Sequence, residues 1–148
     1  MTLQEKLAQE MKAAMLAKNA ERLSTLRMLK STIGYVQIEK KVESLPDADL
    51  IAIVQKEVKK RRDSIDQFEK GGRAELAEKE KQEITVLETF LPQPLSPEEL
   101  EALVKTTIQE LGASSKKDMG GVIKAVQAKA AGRAEGKTVS ALVGKLLP

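Results

Sequence analysis

The 148-residue chain contains no cysteine and no histidine. Without thiols there is no disulfide framework, no thiolate nucleophile and no redox pair. Without imidazole the commonest general base and the commonest metal ligand are both missing. A nucleophile–base pair of the Ser–His or Cys–His kind cannot be assembled. Tryptophan is absent, and the aromatics reduce to Tyr35, Phe68 and Phe90. That leaves little for stacking on single-stranded bases. It also makes the core one of Leu, Ile, Val, Ala and Met, which favours helices packed on helices. No apolar run approaches the ~20 residues that a membrane span requires. The first residues open a helix in place of a signal-peptide apolar region, so the expected location is the cytoplasm. No stretch alternates with a two-residue period, so no sheet is expected. Walker and dinucleotide fingerprints are missing as well. Glu75, Glu78, Glu80, Glu83 and Glu88 read as a solvated helix pattern with i,i+4 partners, not as an acid–base pair. No spacing suggests a carboxylate metal site. The expectation is a non-catalytic chain with no cofactor and no metal.

What is present is a helix former's composition: 41% apolar and 32% charged residues, with a net charge of +3, values that fit neither a disordered chain nor a membrane protein. The mild positive charge permits a polyanionic partner without demanding one. Thr2 and Glu5 form a capping box ahead of Leu3, Leu7, Met11, Ala14 and Met15. The first helix is expected to end near Lys18–Asn19, where Asn tolerates a left-handed turn. A second runs from about 21 to 40 on Leu23, Leu26, Leu29, Ile33 and Val36, with Arg27, Lys30 and Gly34 on a neighbouring face. A third follows Pro46 and stops at Gly71–Gly72. A fourth spans roughly 73 to 91. Pro92 and Pro94 then hold the chain extended, the best candidate domain boundary. Ser96–Pro97–Glu98–Glu99 opens a fifth helix, a sixth starts at Ser115, and a seventh carries Val139, Leu142, Val143 and Leu146. The predicted fold is all-α: an N-terminal helical domain over 1–92 and a C-terminal three-helix module over 95–148.

Two stretches invite a function. From Gly112 onward, seven basic residues face only Asp118 and Glu135. Gly120 and Gly121 lie within helical periodicity, where each costs ~1 kcal/mol against Ala. They serve either close helix packing, a late helix start, or close approach of the backbone to a ligand. Lys116 and Lys117 stand beside that helix N-terminus, which favours anions. Arg133 and Lys137 sit at a connector, placed for phosphate or sugar contacts. The candidate RNA-binding set is Lys116, Lys117, Gly120, Gly121, Lys124, Lys129, Arg133 and Lys137. The second stretch, Lys56, Lys59, Lys60, Arg61 and Arg62, is the densest basic segment. It reads as a phosphate-contacting ridge or, more readily, as a mixed seam in which Arg61 and Arg62 pair with acidic residues of a neighbouring helix.

Lys117-Asp118-Met119-Gly120-Gly121-Val122-Ile123, Gly132-Arg133-Ala134-Glu135-Gly136 and Val139-Ser140 resemble the tail domain of the B subunit of glutamine-dependent aspartyl/glutamyl-tRNA amidotransferase. The whole chain resembles the YqeY family of small bacterial proteins, through Leu26-Arg27-Met28-Leu29-Lys30-Ser31, Lys59 to Ile65, Gly72-Arg73-Ala74-Glu75-Leu76 and Phe90-Leu91-Pro92. The chain departs from these relatives at Gly121, where Lys is common, and at Glu135, where Asp is common; Glu is the poorer helix cap. The resemblance implies binding of tRNA away from any chemistry, with an amidotransferase or an aminoacyl-tRNA synthetase as a possible protein partner. It implies neither DNA nor membrane. A family label of carbon–nitrogen ligase with glutamine as amide donor belongs to relatives that carry a large catalytic cradle domain, which this chain lacks. The leading expectation is a non-catalytic tRNA-binding protein. The alternatives are a module that docks on one of those enzymes and, on the family label alone, an amidotransferase-like ligase.

Overall fold

The computed structural model describes residues 1–148. Helix accounts for 78% of them and no strand is present, so the chain is all-α as its periodicity predicts. It divides into two compact units, Met1–Leu91 and Pro92–Pro148.

The first unit holds α1 (Leu3–Leu16), α2 (Ala20–Lys40), α3 (Asp47–Lys70) and α4 (Ala74–Glu88). α1 begins at the expected box: the Glu5 amide donates to Thr2 Oγ1 at 3.1 Å and the Thr2 amide to Glu5 Oε2 at 2.9 Å. Its end differs from expectation. Lys18, not Asn19, takes the left-handed conformation (φ 55°). Asn19 is used instead as the cap of α2, its Oδ1 accepting from the Arg22 amide at 3.1 Å. The two residues share one tight turn, and the capping hydrogen bond claims the side chain that can make it. The Gly71–Gly72 stop is used as expected, with Gly72 at φ 72°. Leu26, Leu29, Ile33, Leu50, Val54, Val58, Ile84 and Leu87 are buried where the helical stripes place them. Leu45, in the α2–α3 loop, and Phe90, just past α4, are buried too. Gln4 makes that loop specific: its Oε1 accepts from the Leu45 amide at 2.8 Å. The Leu3 amide donates to Asp47 Oδ1 at 2.9 Å, tying the starts of α1 and α3.

The second unit holds α5 (Pro97–Leu111), a 3-10 turn (Lys116–Asp118), α6 (Met119–Ala130) and α7 (Gly136–Leu146). Ser96 caps α5, accepting from the Glu99 amide at 3.1 Å, with Pro97 at the first helical position. Gly112 ends it in the left-handed region (φ 61°). Leu100, Val104, Val122, Val126, Val139 and Val143 form this unit's own buried cluster. α6 proper starts at Met119, four residues past the expected Ser115, because Lys116–Asp118 wind as a 3-10 turn. The Asp118 carboxylate accepts from the amides of Ser114 (3.0 Å) and Ser115 (3.3 Å).

Candidate nucleic-acid interface

α6 and α7 lie antiparallel and close. A Cβ on Gly136 would stand 3.3 Å from Gln127 Nε2, and one on Gly144 would stand 3.3 Å from Met119 Cε. Gly136, Ser140 and Gly144 recur every four residues and so share one helix face. That face of small residues lets α7 approach α6, a packing role that the sequence reading did not assign to them.

This closeness settles what Gly120 and Gly121 are not. Both are exposed, and a Cβ on either would meet nothing within 4 Å. Helix packing therefore does not require them, although they stand in the first turn of α6. The late helix start and room for an approaching ligand remain as their roles. Lys124 follows one turn later, and helical spacing puts it on the same exposed face. Lys117 precedes them from the 3-10 turn. Lys117 and Lys124 are exposed and make no ion pair within the chain.

The other candidate residues are occupied differently. Lys116 Nζ donates to the Gly144 carbonyl at 2.6 Å, placing a cation at the negative end of α7. Lys129 pairs with Glu110 and lies 3.4 Å from Thr107 Oγ1. Arg133 Nε donates to the Gln93 carbonyl at 2.9 Å, its own carbonyl accepts from the Leu95 amide at 2.8 Å, and Nη2 lies 3.7 Å from Glu99. Arg133 thus fastens residues 93–95 to the α6–α7 turn. Lys137 is exposed on the first turn of α7. Glu135 occupies the cap position of α7 without accepting a capping hydrogen bond. Between α5 and α6 runs an open groove of about 480 Å³, floored by Leu95, Ala102 and Leu103 and rimmed by Glu99, Lys129 and Arg133. Glu99 and Glu110 were not among the candidate residues. No spacing rule links them to cations on or just past the next helix; only the α5–α6 packing does.

The basic stretch on α3 does not form one ridge. Lys56, Lys59 and Lys60 are exposed, but Arg61 is only 7% exposed. Its guanidinium lies 3.4 Å from Glu57 and 3.0 Å from Glu80, and it also pairs with Glu83. Arg62 lies 3.8 Å from Glu88. Positions 61 and 62 lie toward the apolar seam of α3, where α4 packs, and carboxylates from α4 meet them there. As a phosphate contact Arg61 is withdrawn, because a buried guanidinium ringed by three carboxylates has no face left for a phosphate. No group of three His, Cys, Asp or Glu side chains is placed to hold a metal ion, and no helix is long and apolar enough to cross a membrane.

Comparison with known proteins adds the relatives. The chain is 39% identical over 111 residues to "Altered inheritance of mitochondria protein 41, mitochondrial" of Kluyveromyces lactis, a match covering 73% of this chain and 60% of the relative. The protein of the same name from Vanderwaltozyma polyspora is 35% identical over 107 residues, 71% of this chain and 58% of the relative. The chain thus spans about three fifths of the length of these curated relatives. They are fungal, not bacterial, and are named as mitochondrial proteins. The expectation of a plain cytoplasmic location is corrected on that finding: it rested on the absence of an apolar leader, which says nothing of import into an organelle. The sequence model of the Yqey-like proteins matches residues 4–147, across both compact units. Because that match spans nearly the whole chain, the chain belongs to the Yqey-like protein family.

Proposed function

We propose that the protein binds RNA of the tRNA class without acting on it, through the exposed face of α6. The reading rests on one observation above the others. Lys117 and Lys124 flank Gly120 and Gly121 on a single open face, with no ion pair inside the chain to hold either lysine. Two glycines without packing duties let a phosphate backbone come close, and the first turn of a helix favours an anion there. Charge within the unit is segregated in support. α5 carries Glu98, Glu99, Glu101 and Glu110, whereas the basic residues concentrate from Lys116 onward. The chain's three aromatics, Tyr35, Phe68 and Phe90, all lie outside this unit, so recognition would run through shape and backbone, as in folded RNA. A tRNA-dependent amidotransferase or an aminoacyl-tRNA synthetase is the corresponding protein partner.

The test is a titration of the full chain against bulk tRNA over a salt series, with duplex DNA as control. Affinity should fall steeply with salt. Lys117→Glu with Lys124→Glu should weaken binding at least tenfold with thermal stability unchanged. These two are cleaner probes than Arg133, whose replacement also frees residues 93–95. A double variant Lys56→Glu, Lys59→Glu asks whether α3 contributes. Absence of salt-sensitive tRNA binding at low ionic strength sinks the proposal.

A further inference from the structure

α2 has two apolar faces, and the core uses one. Leu26, Leu29 and Ile33 are buried. Away from that face stand Tyr35 and Ile38, with Val42 just past the helix, all three exposed, Tyr35 by 74% and Ile38 by 77%; Met28, half-exposed at the near end, also accepts the Arg61 guanidinium on its sulfur at 3.3 Å. Met28, Tyr35 and Ile38 have the spacing of a heptad seam along α2, and Val42 follows the left-handed Lys41 that ends the helix. Single exposed apolar residues are ordinary, but a contiguous apolar patch marks an interaction site. The aromatic usage sharpens this. Phe90 is buried and Phe68 packs on the core, while the chain's one tyrosine points outward with no hydrogen-bond partner for its hydroxyl. Tyrosine is a characteristic anchor of protein interfaces.

The border of the line carries two further marks. Arg27, Lys30 and Lys41 lie along one side, all exposed and none in an ion pair within the chain. Gly34 lies on the same side. A glycine inside a helix costs ~1 kcal/mol against alanine, and a Cβ at Gly34 would meet nothing within 4 Å. Packing inside the chain does not account for it; close approach from outside does.

The charges decide the occupant. With Met28 and Tyr35 at heptad positions a, two parallel copies of α2 would set Arg27 against Thr32 and Gly34 against Glu39. Two antiparallel copies would set the basic border against itself. Both arrangements also force Ser24 and Ser31 into the seam, and neither gives the cations a partner. A helix from another protein, apolar along one stripe and acidic on the edge facing Arg27, Lys30 and Lys41, satisfies stripe and border together. From Met28 to Ile38 the helical part of the line is ~15 Å long.

We propose that the exposed stripe of α2, Met28–Tyr35–Ile38–Val42 with its Arg27/Lys30/Lys41 border, is a docking surface for an acidic-edged amphipathic helix of a partner protein. This surface is independent of the α6 face and of what that face binds. The test is fluorescence anisotropy of the full chain with two synthetic three-heptad peptides. Both carry Leu at positions a and d; one carries Glu at e and g, the other Lys, and like charges keep each peptide from pairing with itself. The Glu peptide should bind at least tenfold more tightly than the Lys peptide. Tyr35→Ser with Ile38→Ser should abolish that binding without lowering Tm, since both side chains are exposed. Arg27→Glu with Lys30→Glu should invert the preference. Equal affinity for the two peptides, or no binding of the Glu peptide, overturns the proposal. So does sedimentation of the wild type as a dimer that the Tyr35/Ile38 variant makes monomeric, which assigns the stripe to a second copy. Binding to phosphatidylglycerol vesicles that the same variant loses overturns it in favour of a lipid surface.

Discussion

Arg61 holds one guanidinium among three carboxylates, Glu57 and Glu83 among them, at the seam of α3 and α4. Taking a charge out of water is costly and is offset here only because the fork of Arg spans acceptors on two helices. Arg61→Ala leaves three carboxylates facing one another. It should destabilise the chain by about 3 kcal/mol, the lower end of the cost of breaking a buried pair, because the glutamates keep some access to water. The check is the urea midpoint at unchanged m-value, and Arg61→Lys should recover little of the loss, since an ammonium cannot fork. Gly120 and Gly121 make the opposite case. With helical backbone and empty space above them, Gly120→Ala and Gly121→Ala should each stabilise α6 by about 0.5–1 kcal/mol while reducing tRNA affinity, and a binding assay beside a thermal melt separates the two effects. Glu99 and Glu110 occupy the cations that rim the groove. Neutralising both as Gln should raise tRNA affinity several-fold, whereas Glu98→Gln, which rims nothing, should have a smaller effect.

The helices themselves were legible from their stripes of apolar residues, and α1 and α5 from a cap as well. Ser96 shows how local that information is: hydroxyl, Pro97 and Glu99 suffice to start α5 at the expected residue, and Ser96→Ala should cost about 1 kcal/mol, measurable as lost amide protection in the first turn of α5. Boundaries slipped where two local preferences compete for neighbouring residues, as at Lys18–Asn19, or where a short 3-10 turn precedes the helix, as at Lys116–Asp118. Leu45 and Phe90 were illegible as core residues for a different reason. They lie in connections, where periodicity carries no signal, and their burial follows from helices distant in sequence. The candidate site was legible in composition but not in state. That Lys116 caps α7 and Arg133 fastens residues 93–95 depends on how α5, α6 and α7 pack. The small-residue face of α7 is the element that brings this about. Gly144→Leu should pry α7 from α6 and lower Tm, since a branched side chain cannot enter a gap that already places Met119 Cε at 3.3 Å from a Cβ.

Across the whole molecule, charge is arranged more informatively than its sum suggests. A net charge of +3 is unremarked by itself, yet acidic residues gather on α5 and basic ones on the α6–α7 hairpin. If Lys117 and Lys124 each neutralise one phosphate, removing both should flatten the dependence of log K on log salt by about two. Absence of His and Cys limited the chemistry from the outset, and the family assignment does not restore it. The basic stretch of α3 illustrates why charge runs mislead when read one-dimensionally: five cations in seven residues divide, by helical angle alone, into a solvated group and a pair turned toward α4.

Tyr35 has a practical corollary. With no tryptophan and one tyrosine, nearly all the near-ultraviolet absorbance and emission of this protein come from a single ring on the outer face of α2. That ring is largely in water in the folded state and remains so when the chain unfolds. Intrinsic fluorescence will therefore be a poor reporter of denaturation and a selective reporter of whatever covers α2. A titration that changes tyrosine emission while far-ultraviolet circular dichroism stays constant has found the stripe.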